Sequence, residues 1–188
     1  MKRAVATLKS VGPYSQSKFY EVEKKEKEGH AEYEERTWRE RMHCNADGKV
    51  FIPPMAFKNC LAEAAKFLSV QIPGKGKTTY TKHFEAGIMI QSEVVLPLLK
   101  KDVKGEWLFV PASGRRGDGK RVKKCFPLIP SWEGNVEIFI IDDTITEAPL
   151  RYHLEQAGQL IGIGRFRPRN NGYYGRFKLI KMTFEDYA

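Results

Sequence analysis

Glycines, cations and aromatic residues are interspersed over residues 159–181, a pattern that suits binding to the phosphate backbone of a nucleic acid. The segment contains six cations and no acidic residue. Glycine lets a backbone approach a phosphate closely and adopt positive φ angles. Arginine offers phosphate a planar fork of donors, and aromatic rings stack on unpaired bases. The pattern predicts a loop that binds single-stranded nucleic acid through Gly162, Gly164, Arg165, Phe166, Arg167, Arg169, Tyr173, Tyr174 and Arg176.

Within this loop the residue types predict separate tasks. We expect the arginines to hold phosphates and the first two glycines to allow the close approach. Either Tyr173 or Tyr174 is expected to stack on a base or to insert between two bases.

A second basic cluster lies at residues 111–124, where glycines separate the cations. Apolar segments at 107–110 and 125–129 flank it and favour strands, so we expect a hairpin that projects like a thumb. Such a hairpin follows a nucleic-acid backbone through charge and reads no sequence. Its predicted contacts are Arg115, Arg116, Lys120, Arg121, Lys123 and Lys124. Three lysines elsewhere are expected to extend the basic track: Lys75, Lys77 and Lys82.

The distribution of charge supports a polyanionic partner. The chain of 188 residues has a net charge of +9 and an isoelectric point of about 9.4. Residues 114–124 carry +5 and residues 159–181 carry +6, whereas residues 21–43 carry −2. The two basic clusters therefore exceed the net charge of the whole chain, which is the pattern expected of a binding groove.

Few residues suggest catalysis, and none suggests a metal or a cofactor. The three cysteines show no metal-binding spacing and predict reduced thiols in a cytoplasmic protein. Gly76-Lys77-Thr78 lacks the earlier glycine of a nucleotide-binding loop, because Gln71 stands there. His83 is the one candidate general base. No apolar run approaches the ~20 residues that span a bilayer, so we expect no membrane association.

The elements that must position these residues follow from hydrophobic periodicity. Residues 20–42 fit either a strand pair or an exposed helix, and the sequence does not decide between them. Helices are predicted at about 54–69, where apolar residues recur at intervals of three and four, and again after residue 144. Strands are predicted at 2–9, 49–52, 86–98, 107–110, 125–129, 135–141 and 176–184. Without its inserts this order is βαββαβ, which predicts an α+β, ferredoxin-like (RRM-like) fold. The charged insert at about 20–45 follows the first strand, and the basic thumb-like hairpin lies between the central strands.

Three segments resemble the RAMP superfamily of CRISPR-associated proteins, most closely its guide-RNA-binding backbone subunits. Residues 47–54, Asp-Gly-Lys-Val-Phe-Ile-Pro-Pro, are similar to the family's G-x-x-x-IPG junction between strand and helix. The glycine-rich loop at about 162–176 and the basic insertion at about 111–124 resemble the family's loop and thumb. Pro54 stands where the family usually has glycine, and the family's larger members are much longer than the 188 residues of this chain. The resemblance is therefore to a minimal relative that is stand-alone or phage-borne.

The resemblance implies a single domain over residues 1–188 that binds guide RNA without cutting it. Such a subunit belongs to an antiviral ribonucleoprotein, in the cytoplasm of a bacterial or phage-infected cell. It assembles head-to-tail with further copies along the strand, as a filament, and contacts other effector subunits. No cofactor is implied. The residues leave open whether the strand is RNA or single-stranded DNA.

Two other functions remain open on the sequence. One is a metal-independent endoribonuclease that processes guide RNA, with His83 as general base and lysines stabilising the transition state. The other is a subunit mimic that inhibits a CRISPR effector, as an anti-CRISPR protein does.

Overall fold

The computed structural model describes residues 1–114, 117 and 119–187. Two of the predicted thumb contacts, Arg115 and Arg116, lie outside the described residues. The strands are β1 (Lys2–Ser10), β2 (Tyr14–Ser15), β3 (Lys49–Ile52), β4 (Ile88–Met89), β5 (Val94–Leu99), β6 (Lys104–Pro111), β7 (Arg121–Ile129), β8 (Glu133–Ile140) and β9 (Phe177–Asp186). The α-helices are α1 (His30–Thr37), α2 (Pro54–Leu68), α3 (Thr81–Ala86) and α4 (Glu147–Gln156).

The central sheet has the strand order β4-β8-β1-β9, and all of its pairings are antiparallel. Along the chain its members and their two main helices follow as β1, α2, β4, β8, α4 and β9. This order is that of a βαββαβ ferredoxin-like core, so the predicted α+β fold is confirmed.

One face of this sheet forms the hydrophobic core with α2 and α4. Ala4, Ala6 and Leu8 alternate along β1 and are fully buried, as the period of two in its sequence predicts. From α2, Phe57 and Leu61 pack into the same cluster. The amphipathic pattern of the helix therefore states correctly which of its faces is inside. None of the helices among the described residues is both long and apolar enough to cross a bilayer.

The predicted strand at 86–98 is wrong in its extent, because the segment divides between two sheets. Its first part, β4, pairs with β8, whereas β5 pairs with β3. The residues just before β4 form the short helix α3, which is not among the helices predicted from the sequence. Both halves of the segment are apolar, and apolarity alone does not state which neighbour each half pairs with.

The hairpin strands belong to a second sheet of order β2-β7-β6. In the chain, β6 and β7 lie between the core strands β4 and β8, so the basic turn is carried by an insertion between the central strands. The register is regular from Lys104, opposite Leu128, to Pro111, opposite Arg121. The predicted hairpin is thus longer than its apolar segments indicated.

The charged insert contains α1, which is tied to the base of the hairpin by a buried ion pair. Glu34 is 1% exposed and accepts hydrogen bonds of 2.7 and 3.2 Å from Arg41. The same carboxylate accepts the backbone N–H of Cys125 on β7 at 2.7 Å. Of the two alternatives for residues 20–42, an α-helix forms, but only over His30–Thr37, and its side with Glu34 and Thr37 is buried and not exposed.

Candidate nucleic-acid interface

The glycine-rich loop packs against β2 and against the residues that join β1 to β2. Arg165 N donates to Ser15 O at 2.8 Å, and Gly175 N donates to Pro13 O at 2.8 Å. Gly175 has a φ of +80°, and a Cβ there would lie 1.8 Å from the carbonyl oxygen of Ile163. This glycine is therefore required by the packing of the loop on itself, whether or not a phosphate approaches.

Arg165 points inward, against the hairpin. Its guanidinium carbon lies 3.8 Å from the centre of the Phe126 ring, and its Nη2 donates to Glu106 at 3.2 Å. Tyr174 donates its hydroxyl hydrogen to the same carboxylate at 2.6 Å. Burial, followed by this hydrogen bond, raises the pKa of Tyr174 to about 12. Arg165 and Tyr174, both predicted to contact nucleic acid, thus hold the loop against β6 and β7. Their guanidinium and hydroxyl groups stabilise the structure of the loop.

Two more loop arginines converge on one carboxylate of α2. Glu63 accepts Arg167 at 2.8 Å and Arg169 at 3.2 Å. Arg176 donates its Nε to the carbonyl oxygen of Gln159 at 3.1 Å. A phosphate bound by this pair of arginines therefore has to compete with Glu63, which lowers the net attraction that the sequence alone suggests.

Of the two candidate stacking tyrosines, Tyr173 has the accessible ring. It is 73% exposed, whereas Tyr174 is held at the hairpin. Phe166 lies edge-on to both rings at 5.8 and 5.7 Å between ring centres. A base that stacks on Tyr173 would therefore find a supported aromatic surface.

A cavity of about 260 Å³ opens where this loop meets the start of α2. Gly164 and Arg165 line one side, and Pro53 and Ala56 of the strand-to-helix junction line another. The cavity is completed by Tyr14, Gln16, Ser17, Lys18 and His43. The positive end of the helix dipole and the side chain of Lys18 favour an anion here, whereas Pro53 and Pro54 have no N–H to donate. Two of the three segments that carried the family resemblance, the strand-to-helix junction and the glycine-rich loop, thus meet at one site.

Sequence reasoning missed most members of this cavity, including its basic residues Lys18 and His43. Burial, and then the nearby charge of Lys18, lowers the pKa of His43, so the imidazole tends toward its neutral form. Neither residue belongs to a motif, and neither lies near the loop in the chain. Residues 14–18 lie across the N-terminal end of α2, and His43 is held beside them by the hydrogen bond of its backbone N–H to Gln16.

The described cations of the thumb divide between its two faces. Lys120 and Arg121 are exposed near the turn. Lys123 is exposed on one face, where its Nζ lies 4.9 Å from the centre of the Trp107 ring. Lys124, half-buried, is directed to the other face, with Phe126 and the glycine-rich loop.

The remaining predicted lysines lie away from the cavity. Lys75 and Lys77 are exposed in the turn after the C-terminal end of α2, and Lys82 is exposed on α3. The 15 residues of α2 are about 22 Å long. These lysines and the cavity therefore cannot contact the same phosphate.

His83 has the neighbour that a general base needs for orientation. Its Nδ1 lies 2.6 Å from Oδ2 of Asp142, and this hydrogen bond lowers the pKa of the Asp142 carboxyl. Gly87 makes the approach possible, because a Cβ there would lie 2.4 Å from the Cβ of Asp142. The sequence gives no signal of this pair, since its members are 59 residues apart.

The open face of the central sheet, which RRM-like modules use for RNA, is occupied by cross-strand ion pairs. Arg3 bonds to Glu137 and Glu185, and Lys9 lies 3.3 Å from Glu133. These ion pairs neutralise Arg3 and Lys9, and the register places Lys178 and Lys181 of β9 on the same face.

Comparison with solved structures adds an independent observation. The chain aligns with a chain in the cryo-EM structure of the Type III-B Cmr-beta bound to cognate target RNA. The TM-score is 0.58 at 10% sequence identity, over 98% of this chain and 60% of that chain. The two chains share a fold. The present chain spans 60% of the length of the solved chain, and the RAMP-type resemblance is supported at the level of the fold. No protein-family model and no curated protein matches the sequence.

Proposed function

We propose that this protein binds single-stranded nucleic acid, with guide RNA as the expected ligand, without reading its sequence. The observation that carries the proposal is the cavity at the start of α2, where Arg165 and Lys18 lie beside Gly164 and the positive end of the helix dipole. Cationic donors recognise phosphate oxygens, which are the same for every base.

The strand is proposed to run from this cavity along two surfaces. On one side, Arg167 and Arg169 lie toward α2 and supply charge once a phosphate displaces Glu63, and Arg176 lies at Gln159 after α4. On the other, Lys124 of the thumb faces the loop. Tyr173 offers its exposed ring to a base.

The biological setting is proposed from the shared fold. The solved chain belongs to a structure bound to target RNA, which favours a role in a CRISPR-type ribonucleoprotein. Assembly is expected to be head-to-tail along the strand, because a repeated contact between two different surfaces does not close. The exposed acids of the insert, such as Glu21 and Glu23, are complementary to the basic thumb of a neighbouring copy.

The test is the salt dependence of binding to a labelled strand of about 40 nucleotides, as RNA and as DNA. Each lost phosphate contact reduces the slope of log K against log salt concentration by about 0.7 for a single strand. We expect Lys18→Ala to show this reduction. Lys9→Ala removes the same charge from the paired sheet face and serves as the matched control.

Two results would contradict the proposal. One is an absence of binding to either strand at low salt, which would favour a protein-interaction role such as inhibition of an effector. The other is an equal slope for Lys18→Ala and Lys9→Ala. Size-exclusion chromatography with and without the strand tests the assembly separately, since head-to-tail binding predicts large complexes only with it.

The contact between His83 and Asp142 favours one second candidate, a metal-independent endoribonuclease. In this function the imidazole removes a proton from a 2′-hydroxyl while the carboxylate holds the ring in place. Shortening of RNA in the presence of a chelator, lost in His83→Ala and reduced in Asp142→Asn, would establish it. Intact RNA under the same conditions would dismiss it.

A further inference from the structure

The hairpin presents a second surface on the side opposite the glycine-rich loop. Side chains alternate between the faces of a strand, and Glu106 and Phe126 face the loop. Their neighbours Trp107 and Lys123 therefore face away from it, as do Phe109 and Arg121. We refer to Trp107, Phe109, Arg121 and Lys123 as the outer face.

The outer face exposes two large aromatic rings. Trp107 is 40% exposed and Phe109 is 67% exposed, whereas the other two tryptophans, Trp38 and Trp132, are buried. The two exposed rings are two residues apart on one strand, so they lie roughly 7 Å apart along it. An exposed aromatic pair on a projecting hairpin is typical of a binding surface.

Cations accompany these rings from the base of the hairpin toward its turn. At the base, the guanidinium carbon of Arg39 lies 4.2 Å from the centre of the Trp38 ring. Higher up, Lys123 lies over Trp107 at 4.9 Å, and Arg121 reaches the carbonyl oxygen of Phe109 at 3.5 Å. No acidic residue lies on this side of β6 or β7.

We propose that the outer face is a base-stacking surface for single-stranded nucleic acid, separate from the glycine-rich loop. Trp107 and Phe109 stack on two bases, while Arg121 and Lys123 bind the adjoining phosphates. This inference rests on the proposed function and adds to it a contact with bases. A protein-docking patch fits less well, because lysine is depleted at the centres of such interfaces, whereas aromatic rings among cations suit a single strand.

Intrinsic fluorescence gives a direct readout, since Trp107 is the one exposed tryptophan of the three in the chain. We expect single-stranded RNA to quench this fluorescence. In Trp107→Phe the quenching should be lost, with affinity nearly unchanged because an aromatic ring remains. In Trp107→Ala and Phe109→Ala the affinity should fall by roughly 5- to 100-fold each. Tyr152→Ala removes an exposed ring from α4 and is the matched control.

An abasic strand of the same length separates this inference from the proposed function. The abasic strand keeps the phosphates, so its binding should still depend steeply on salt concentration. It should not quench the fluorescence of Trp107, and it should bind Trp107→Ala and the unchanged protein with equal affinity. Quenching by the abasic strand, or wild-type affinity of both alanine variants for RNA, would overturn the stacking surface while the proposed function stands. An altered oligomeric state of the strand-free Trp107→Ala protein would also overturn it, because the ring would then contact protein. Failure of RNA to bind at all refutes the proposed function itself.

Discussion

Replacing Glu34 with glutamine is expected to destabilise the whole fold, because this carboxylate is the counter-ion of a buried guanidinium. Arg41 is 7% exposed and lies between the rings of Tyr20 and Phe126, at 5.2 and 5.1 Å. Glu34→Gln keeps the size of the side chain but leaves the charge of Arg41 without its partner. Breaking a buried ion pair in this way costs about 3–5 kcal/mol of the free energy of unfolding.

For a chain of this size that loss corresponds to a fall in melting temperature of about 6–20 °C, at about 2–4 °C for each kcal/mol. Urea denaturation followed by circular dichroism measures the change as a lower midpoint with an unchanged slope. The control is Glu133→Gln. Its partner Lys9 is 52% exposed and Glu133 is 54% exposed, so this substitution should cost about 0–1 kcal/mol.

A double substitution tests the reasoning itself. If the cost arises from an unpaired buried charge, adding Arg41→Met to Glu34→Gln should restore much of the lost stability, because the second change removes that charge. The reasoning is refuted if Glu34→Gln is no less stable than Glu133→Gln. It is also refuted if the two substitutions are simply additive.

Three further predictions concern the loop and the ionisable groups. Gly175→Ala should lower the free energy of unfolding by about 1–3 kcal/mol more than Gly114→Ala, as measured by urea denaturation. The two glycines have similar positive φ angles, but only at Gly175 does a Cβ meet a backbone carbonyl. Equal losses in the two variants would contradict this. At pH 8 a thiol reagent should label Cys44 alone in the folded protein, because the other two cysteines are buried. After unfolding it should label all three. Fast labelling of a second thiol in the folded protein would contradict this prediction. Tyr174, with its pKa of about 12 against 10 in the unfolded chain, contributes stability that is complete below pH 10 and is lost as the pH rises toward 12. The difference in ultraviolet absorbance between the native chain and Tyr174→Phe should show that late ionisation, and a step near pH 10 would exclude it.

Much of the fold was predictable because it follows from local periodicity. The alternation along β1 and the three- and four-residue spacing along α2 each state which side of the element is apolar. These patterns were enough to derive the ferredoxin-like order of elements. The division of residues 86–98 between β4 and β5 was not predictable, because the choice of pairing partner depends on residues far away in the chain.

The composition of the candidate site was also visible in the sequence, but the state of each side chain was not. Clustered glycines and arginines identified the loop. The fold then directed Arg165 onto Phe126 and Glu106, and brought Arg167 and Arg169 to Glu63. Sequence patterns count charges without stating their partners, because an ion pair depends on distances that only the folded chain defines.

By itself, then, the sequence determined the sign and clustering of the charge, the need for glycine in the loop and the identity of the core helices, all of which are properties of neighbouring residues. Tertiary structure alone decided that Lys18 and His43 meet the start of α2, and that Trp107 and Phe109 remain exposed on the outer face. The physical reason is that alternation separates the two faces of a strand, whereas burial of one face depends on which distant segment packs against it.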